Sequence, residues 1–247
     1  MIIIANWKAY VEDIGKAKEL FTVSKKLAKD TGNGIVLAPP APLLGILAAK
    51  NASSVAFGAQ DISATTGGAE TGEITAQTYA AAGATYAIVG HSERRARGDT
   101  DTLVSEKLRH ALAHGLTPVL CIGEHSRDTD GRYLSFIREE LTTAISPLTP
   151  RERGKIVLAY EPLWAIGKTA SEAIAADDLA EMTLYIKKVL AEIFSGKSSA
   201  RIPVLYGGSV EPDNVRALAE LAGIDGFLVG HASVDPRLFA LLVKQLA

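Results

Sequence analysis

Short, almost unbroken apolar runs recur eight times along this chain, each followed by a longer segment with amphipathic spacing. The runs span Ile2 to Asn6, Ile35 to Pro39, Val55 to Gln60, Tyr86 to Gly90, Pro118 to Gly123, Ile156 to Glu161, Pro203 to Gly207 and Gly226 to Gly230. A continuous apolar run, as opposed to strict alternation, is how a strand covered on both faces reads. Helix-like stretches lie between the runs: Glu12 to Lys29, Pro42 to Lys50, Thr75 to Ala82, Asp101 to His114, Arg132 to Ser146, Glu172 to Phe194, Glu211 to Leu221 and Asp235 to Leu246. Strand-then-helix order implies parallel strands joined by right-handed crossovers. Eight such units in 247 residues predict a closed (β/α)8 barrel, with no edge strand left unpaired. A doubly wound open sheet is the competing architecture; it would more commonly have fewer strands, and no G-x-G-x-x-G follows the first run.

No Pro/Gly/Ser-rich linker or composition shift divides the chain, so residues 1–247 are expected to form one domain. With 26 basic and 28 acidic residues the formal net charge is -2, which offers no field suited to nucleic acid. No stretch approaches the roughly 20 consecutive apolar residues that span a bilayer, so no membrane partner is expected. A single cysteine, Cys121, cannot form an internal disulfide, and the chain enters its first strand without a signal-like segment. A cytoplasmic location is expected.

A barrel of this kind concentrates chemistry at the carboxyl ends of its strands, where the βα loops begin. Functional residue types gather at that rim: Asn6-Trp7-Lys8 after the first run, Gly90-His91-Ser92-Glu93-Arg94-Arg95 after the fourth, Glu161 after the sixth, Tyr206-Gly207-Gly208-Ser209 after the seventh and Gly230-His231 after the eighth. The opposite ends, at Met1, Val55, Ile156 and Pro203, carry little beyond punctuation. Glu161 stands where an apolar run stops and a Gly-ended loop begins, and Pro162 disfavours the helical region for it. A carboxylate held extended beside such a loop is placed for proton abstraction. Each residue alone has an ordinary explanation, a solvated Glu, a snorkelling Lys, a structural His or a helix-capping Glu93, and their joint arrival on one rim argues against all four.

Asn6-Trp7-Lys8, Gly90 to Arg95, Cys121-Ile122-Gly123-Glu124, Tyr160 to Gly167 and Tyr206 to Ser209 stand in the order and approximate spacing of the triosephosphate isomerase family, which the whole chain resembles. The resemblance implies interconversion of dihydroxyacetone phosphate and D-glyceraldehyde 3-phosphate through an enediolate, in glycolysis and gluconeogenesis, with no cofactor and no metal. It assigns Glu161 as the base and His91 as the neutral electrophile, a pairing for which this family is the standing example. Lys8 would draw in the anionic substrate and stabilise enediolate charge, Glu93 would anchor Lys8, and Asn6 would add a hydrogen bond near the reacting oxygens. Without a basic cluster on the rim, the phosphate would rest on backbone amides at Gly167, Ser209, Gly230 and His231. Arg95 and Glu124 are expected to form a supporting ion pair.

The sequence departs from the family's pattern in places. His231 stands where a second Gly is usual, and the lid looks two residues short, Gly167 running directly into Lys168-Thr169-Ala170. The expected result is retained isomerase activity with lower turnover or more phosphate elimination than in a full-lid relative. Gln60 to Glu73 resembles the loop by which relatives form a homodimer beside the equivalents of Asn6 and Lys8; Glu70 and Ala9 leave room for a more polar, weaker interface. Another isomerase, acting for instance on a tetrulose phosphate, would use the same side chains, and a non-catalytic phosphate-binding protein would be expected to have lost one of them. His110 and His114 are read as a solvated helix face, Asp128 to Gly131 as a polar turn and Cys121 as a buried thiol.

Overall fold

A computed structural model describes residues 1–168, 173–194 and 202–247. Eight strands appear among them: β1 (Ile2–Asn6), β2 (Gly34–Ala38), β3 (Ala56–Ala59), β4 (Tyr86–Val89), β5 (Thr117–Ile122), β6 (Val157–Tyr160), β7 (Val204–Tyr206) and β8 (Gly226–Val229). Every neighbouring pair is parallel, and β8 pairs back onto β1, with Ile2 opposite Gly226 and Ala5 opposite Val229, so the sheet closes on itself as a (β/α)8 barrel.

The unbroken apolar runs follow from two layers of packing. Ile4, Val36, Ala38, Ile88, Val119, Cys121, Val157, Ala159, Leu205 and Leu228 fill the barrel interior. Their alternates, such as Ile3, Ala5, Ile35 and Leu37, point outward into a second core shared with the helices. Each strand is therefore wetted on neither face, and both alternating sets must be apolar.

The helices are α1 (Ile14–Thr31), α2 (Ala41–Ala48), α3 (Ala76–Ala81), α4 (Ser92–Arg95), α5 (Asp101–Ala113), α6 (Arg132–Ile145), α7 (Pro150–Arg153), α8 (Ala176–Ile193), α9 (Val215–Leu221) and α10 (Pro236–Lys244). Local side-chain bonds set several of their starts. Asp13 accepts from the Lys16 amide at 2.8 Å, so α1 begins two residues after the expected Glu12. Asn214 Oδ1 takes the Glu211 amide at 2.9 Å into a closed turn, which delays α9 to Val215. Asp235 accepts from Arg237 and Leu238 at the start of α10. The expected start of α8 at Glu172 lies outside the described residues; Ala173 to Ala175 are not helical. The polar turn before α6 is formed as expected, Asp128 Oδ1 accepting from the Arg132 amide at 2.8 Å.

Candidate active site

The carboxyl ends of β1, β4, β6, β7 and β8 surround one cavity of about 360 Å³. Its lining includes Asn6, Lys8, His91, Glu161, Gly167, Ser209, Gly230 and His231, so the structure brings together every expected site residue except Glu93, which stands just behind Lys8. A space of this size suits a small ligand.

Lys8 is the one non-glycine residue with positive φ, 46°, among the described residues. That conformation costs about 1–2 kcal/mol in an L-residue, so neighbouring bonds must hold it. Asn6 Oδ1 accepts from the Lys8 amide at 3.1 Å, and Gln60 Nε2 donates to the Lys8 carbonyl at 2.8 Å and to Ala38 at 2.9 Å. The strained turn lifts the amine toward the cavity, where Lys8 Nζ meets Glu93 Oε1 at 2.7 Å. Burial opposes ionisation of Glu93, but the hydrogen bond and charge of Lys8 outweigh it and hold the carboxyl below its ordinary range. The Glu93 side chain is 57% exposed, so the pair orients Lys8 more than it stabilises the fold.

His91 caps the single turn of α4. Its Nδ1 accepts from the Glu93 amide at 3.2 Å, and a nitrogen that accepts carries no proton. The neutral ring must therefore carry its proton on Nε2, which faces Glu161 Oε1 at 3.2 Å. Glu161 Oε2 accepts from the Ser92 amide at 3.1 Å. The carboxylate is 2% exposed, and both its oxygens meet donors that follow β4. Its backbone is equally confined: a Cβ on Gly123 would lie 1.8 Å from the Glu161 carbonyl oxygen, so only glycine lets the ends of β5 and β6 approach this closely.

Beyond Glu161 the loop opens with a 3-10 turn, Leu163–Ala165. Glu124 anchors this turn: its Oε1 accepts from Tyr160 Oη at 2.8 Å and from Trp164 Nε1 at 2.9 Å, and its carbonyl from the Leu163 amide at 2.9 Å. Arg127 adds an Nε contact to Glu124 at 3.3 Å and lies over the Trp164 ring. Ser209 Oγ donates to the Ala165 carbonyl and accepts from the Lys168 amide, each at 3.0 Å, tying the loop to the one after β7. Thr169 and Ala170, the expected hinge, lie outside the described residues.

Gly230 approaches the lysine stem, where a Cβ would lie 3.5 Å from Lys8 Cε. His231 opens a 3-10 turn, His231–Val234, and its side chain is 74% exposed, with Nδ1 3.7 Å from Glu211 Oε1. Its imidazole thus faces the loop after β7.

The expected Arg95–Glu124 pair is not what forms. Arg95 Nη1 binds Asp101 at 2.6 Å and stands 3.4 Å from Glu140, while Glu124 takes Arg127. The nearer cation on the loop after β5 captures Glu124, and the acid opening α5 captures Arg95. Sequence reasoning also missed Arg127, Gln60 as the brace of the Lys8 turn, and Glu140, a carboxyl only 2% exposed on the apolar stripe of α6. The phase of Glu140 with Ile137, Leu141 and Ala144 was the available signal. Burial pushes the Cys121 thiol well above its ordinary range, consistent with a packed, unreactive cysteine.

Comparison with known proteins gives one answer. A family model described as triosephosphate isomerase matches residues 1–246. Proteins named triosephosphate isomerase from Symbiobacterium thermophilum, Ralstonia nicotianae and Thermus thermophilus are 38%, 40% and 36% identical to this chain. Those alignments cover 100%, 96% and 99% of this chain and 96%, 95% and 98% of the relatives. A crystal structure of triosephosphate isomerase from Bartonella henselae superposes with a TM-score of 0.85 at 27% identity, covering 99% of this chain and 98% of that one. With the barrel, the strand-end cavity and the matched length in agreement, the chain belongs to the triosephosphate isomerase family.

Proposed function

We propose that Lys8, His91 and Glu161 carry out the reaction of this family, interconverting dihydroxyacetone phosphate and D-glyceraldehyde 3-phosphate within one (β/α)8 domain of residues 1–247. The chain is an intramolecular aldose–ketose isomerase. The observation that carries the residue roles is the fixed tautomer of His91, whose Nε2 proton points at the Glu161 carboxylate inside the cavity.

In the described state the donors at His91 Nε2 and Ser92 N are both spent on Glu161. A substrate carbonyl entering between the two side chains takes the His91 donor, and Glu161 turns toward the adjacent carbon. Glu161 removes the proton from that carbon while the electron pair moves onto the carbonyl oxygen, giving an enediolate. His91 passes the Nε2 proton to that oxygen and recovers one from the neighbouring hydroxyl; Glu161 then returns its proton to the other carbon. Lys8 faces the developing negative charge, Asn6 holds the Lys8 turn and Glu93 orients the amine. Amides at Gly167, Ser209, Gly230 and His231 receive the phosphate.

Steady-state assay in both directions on triose phosphates and on a tetrulose phosphate, with Glu161→Asp as control, tests the assignment. The expected result is preference for the triose and a loss of about 100-fold in kcat in the control, the scale of a roughly 1 Å retreat of the base. Preference for the tetrulose would reassign the substrate, and an unimpaired control would remove Glu161 from the chemistry.

We further propose a cytoplasmic homodimer formed through Gln60 to Glu73. Gly67 to Glu73 are exposed, and a hollow of about 370 Å³ lined by Lys8, Ala9, Gln60, His91, Glu93 and Arg97 would receive a partner's loop. With Glu70 and Ala9 at that surface, sedimentation velocity should show dissociation on dilution; a monomer at every concentration refutes the dimer.

A further inference from the structure

Glu140 has no role in the chemistry above, yet a carboxyl 2% exposed among Ile137, Leu141 and Ala144 is costly unless it is held. Its Oε2 accepts from the Gly123 amide at 2.9 Å, and its Oε1 lies 3.4 Å from Arg95 Nη1. Arg95 in turn donates from Nε to the Gly90 carbonyl at 2.8 Å and from Nη2 to the Cys121 carbonyl at 3.4 Å. Gly90 immediately precedes His91, and Gly123 is the residue on which the Glu161 carbonyl rests. The two halves of the acid–base pair are thus seated on two ends of one buried ion pair. Beside it lies a cavity of about 330 Å³, lined by Ser92, Arg95, Gly123, Glu140 and Glu161 among others, into which a loosened Glu161 could retreat.

Resting on the isomerase reading above, we propose that Glu140, acting with Arg95, is a positioning residue that sets Glu161 against His91 through Gly123 and Gly90. Bonds to an ionised carboxylate are about twice as strong as neutral ones, so the seat is firmest when Glu140 is charged. Burial pushes the Glu140 carboxyl up to about 7, against the opposing pull of the Arg95 charge and the Gly123 amide, with the Asp101 and Glu124 carboxylates adding to the rise. The other charged and titratable groups around it are Glu124 and His125 after β5, Asp99 and Asp101 before and within α5, Cys121 on β5 and Glu161 on β6.

Steady-state kinetics of folded wild type, Glu140→Gln, Glu140→Asp and Glu140→Leu, each as a function of pH, test the proposal. Glu140→Gln keeps an acceptor for Gly123 and should hold kcat within about threefold. Glu140→Leu should lower kcat about tenfold with KM little changed, since the phosphate grip is untouched. Wild-type kcat should rise with pH through about 7, and that inflection should vanish in Glu140→Gln. Should Glu140→Leu not fold, Glu140→Asp, one methylene short of Gly123, should show the same kcat loss. Unchanged kcat in the folded Leu or Asp variant, or an identical pH profile in Glu140→Gln, overturns the proposal. An inactive wild type would instead overturn the isomerase reading and this inference with it.

Discussion

Gly123→Ala perturbs the site without touching any side chain assigned to chemistry. The added Cβ would stand 1.8 Å from the Glu161 carbonyl oxygen and 2.5 Å from its carbonyl carbon. A carbon and an oxygen in close contact settle at about 3.3 Å, so the ends of β5 and β6 must part by about 1.5 Å. Glu161 N donates to Ile122 at 2.7 Å and Gly207 N to Tyr160 at 2.8 Å, so the strain cannot be absorbed by Glu161 alone without breaking the ladder on one side. A misplacement of about 1 Å is enough to cost on the order of 100-fold in rate, or about 2.7 kcal/mol of activation free energy. Overpacking at the same point should lower stability by about 1–3 kcal/mol.

The assay is steady-state isomerisation at a temperature where circular dichroism shows the variant fully folded. We expect kcat lowered by about 100-fold or more and KM changed less, because Ser209 and Gly230 lie on other loops. A folded variant with kcat within about threefold of wild type would refute the claim that the β5–β6 contact sets the position of the base.

Lys107 is 3% exposed and bonds Asp61 at 2.9 Å and Asp99 at 2.6 Å; Lys107→Met leaves Asp61 to Arg94 at 2.8 Å and buried Asp99 with only the more distant Arg94 at 3.8 Å, and should cost about 1–3 kcal/mol in urea unfolding, an unchanged midpoint counting against the network. Ser209→Ala removes the two bonds that its hydroxyl makes to Ala165 and Lys168 of the lid and should raise inorganic phosphate released per turnover; an unaltered elimination fraction would show that this contact does not close the lid. Measured beside a full-lid relative, the wild type should itself release more phosphate or turn over more slowly. Cys121, wholly buried with its thiol pushed well above the ordinary range, should react with a thiol reagent only on unfolding, and rapid labelling of the native protein would contradict its packing.

The barrel was legible because its strands are buried twice over, which leaves runs such as Ile2 to Asn6 and Ile156 to Glu161 without a polar interruption. The rim was legible for the converse reason: polar types appear only where those runs end. Helices of a single turn are too short to develop a period: α7 escaped notice, and α4 was signalled only by the capping residue types at its start. Ion-pair partners were the least legible feature. Arg95 and Glu124 carry opposite charges on neighbouring loops, yet Asp101 and Arg127 are better placed for them, and nothing along the chain encodes those distances. Glu140 escaped because Ile137-Arg138-Glu139-Glu140-Leu141 looks like a solvated helix face until its rotational phase on α6 is counted.

The departures at His231 and after Gly167 fall at the end of the cavity proposed to hold the phosphate, and His91 and Glu161 keep the family's pattern. For His231 the structure narrows what that departure can do. A protonated imidazole near the phosphate would strengthen binding, but here it leans 3.7 Å from Glu211, whose charge opposes its own, and its side chain is 74% exposed. Screening at that exposure leaves such a charge worth at most about 1 kcal/mol, or roughly fivefold in affinity. The amide of His231, by contrast, survives the replacement of glycine unchanged as a donor. We therefore expect affinity for a phosphate analogue, compared between wild type and His231→Gly to cancel titration of the analogue itself, to diverge by less than about fivefold from neutral to mildly acidic pH. A divergence beyond tenfold would mean that the ring turns inward when the ligand binds and that Glu211 does not hold it.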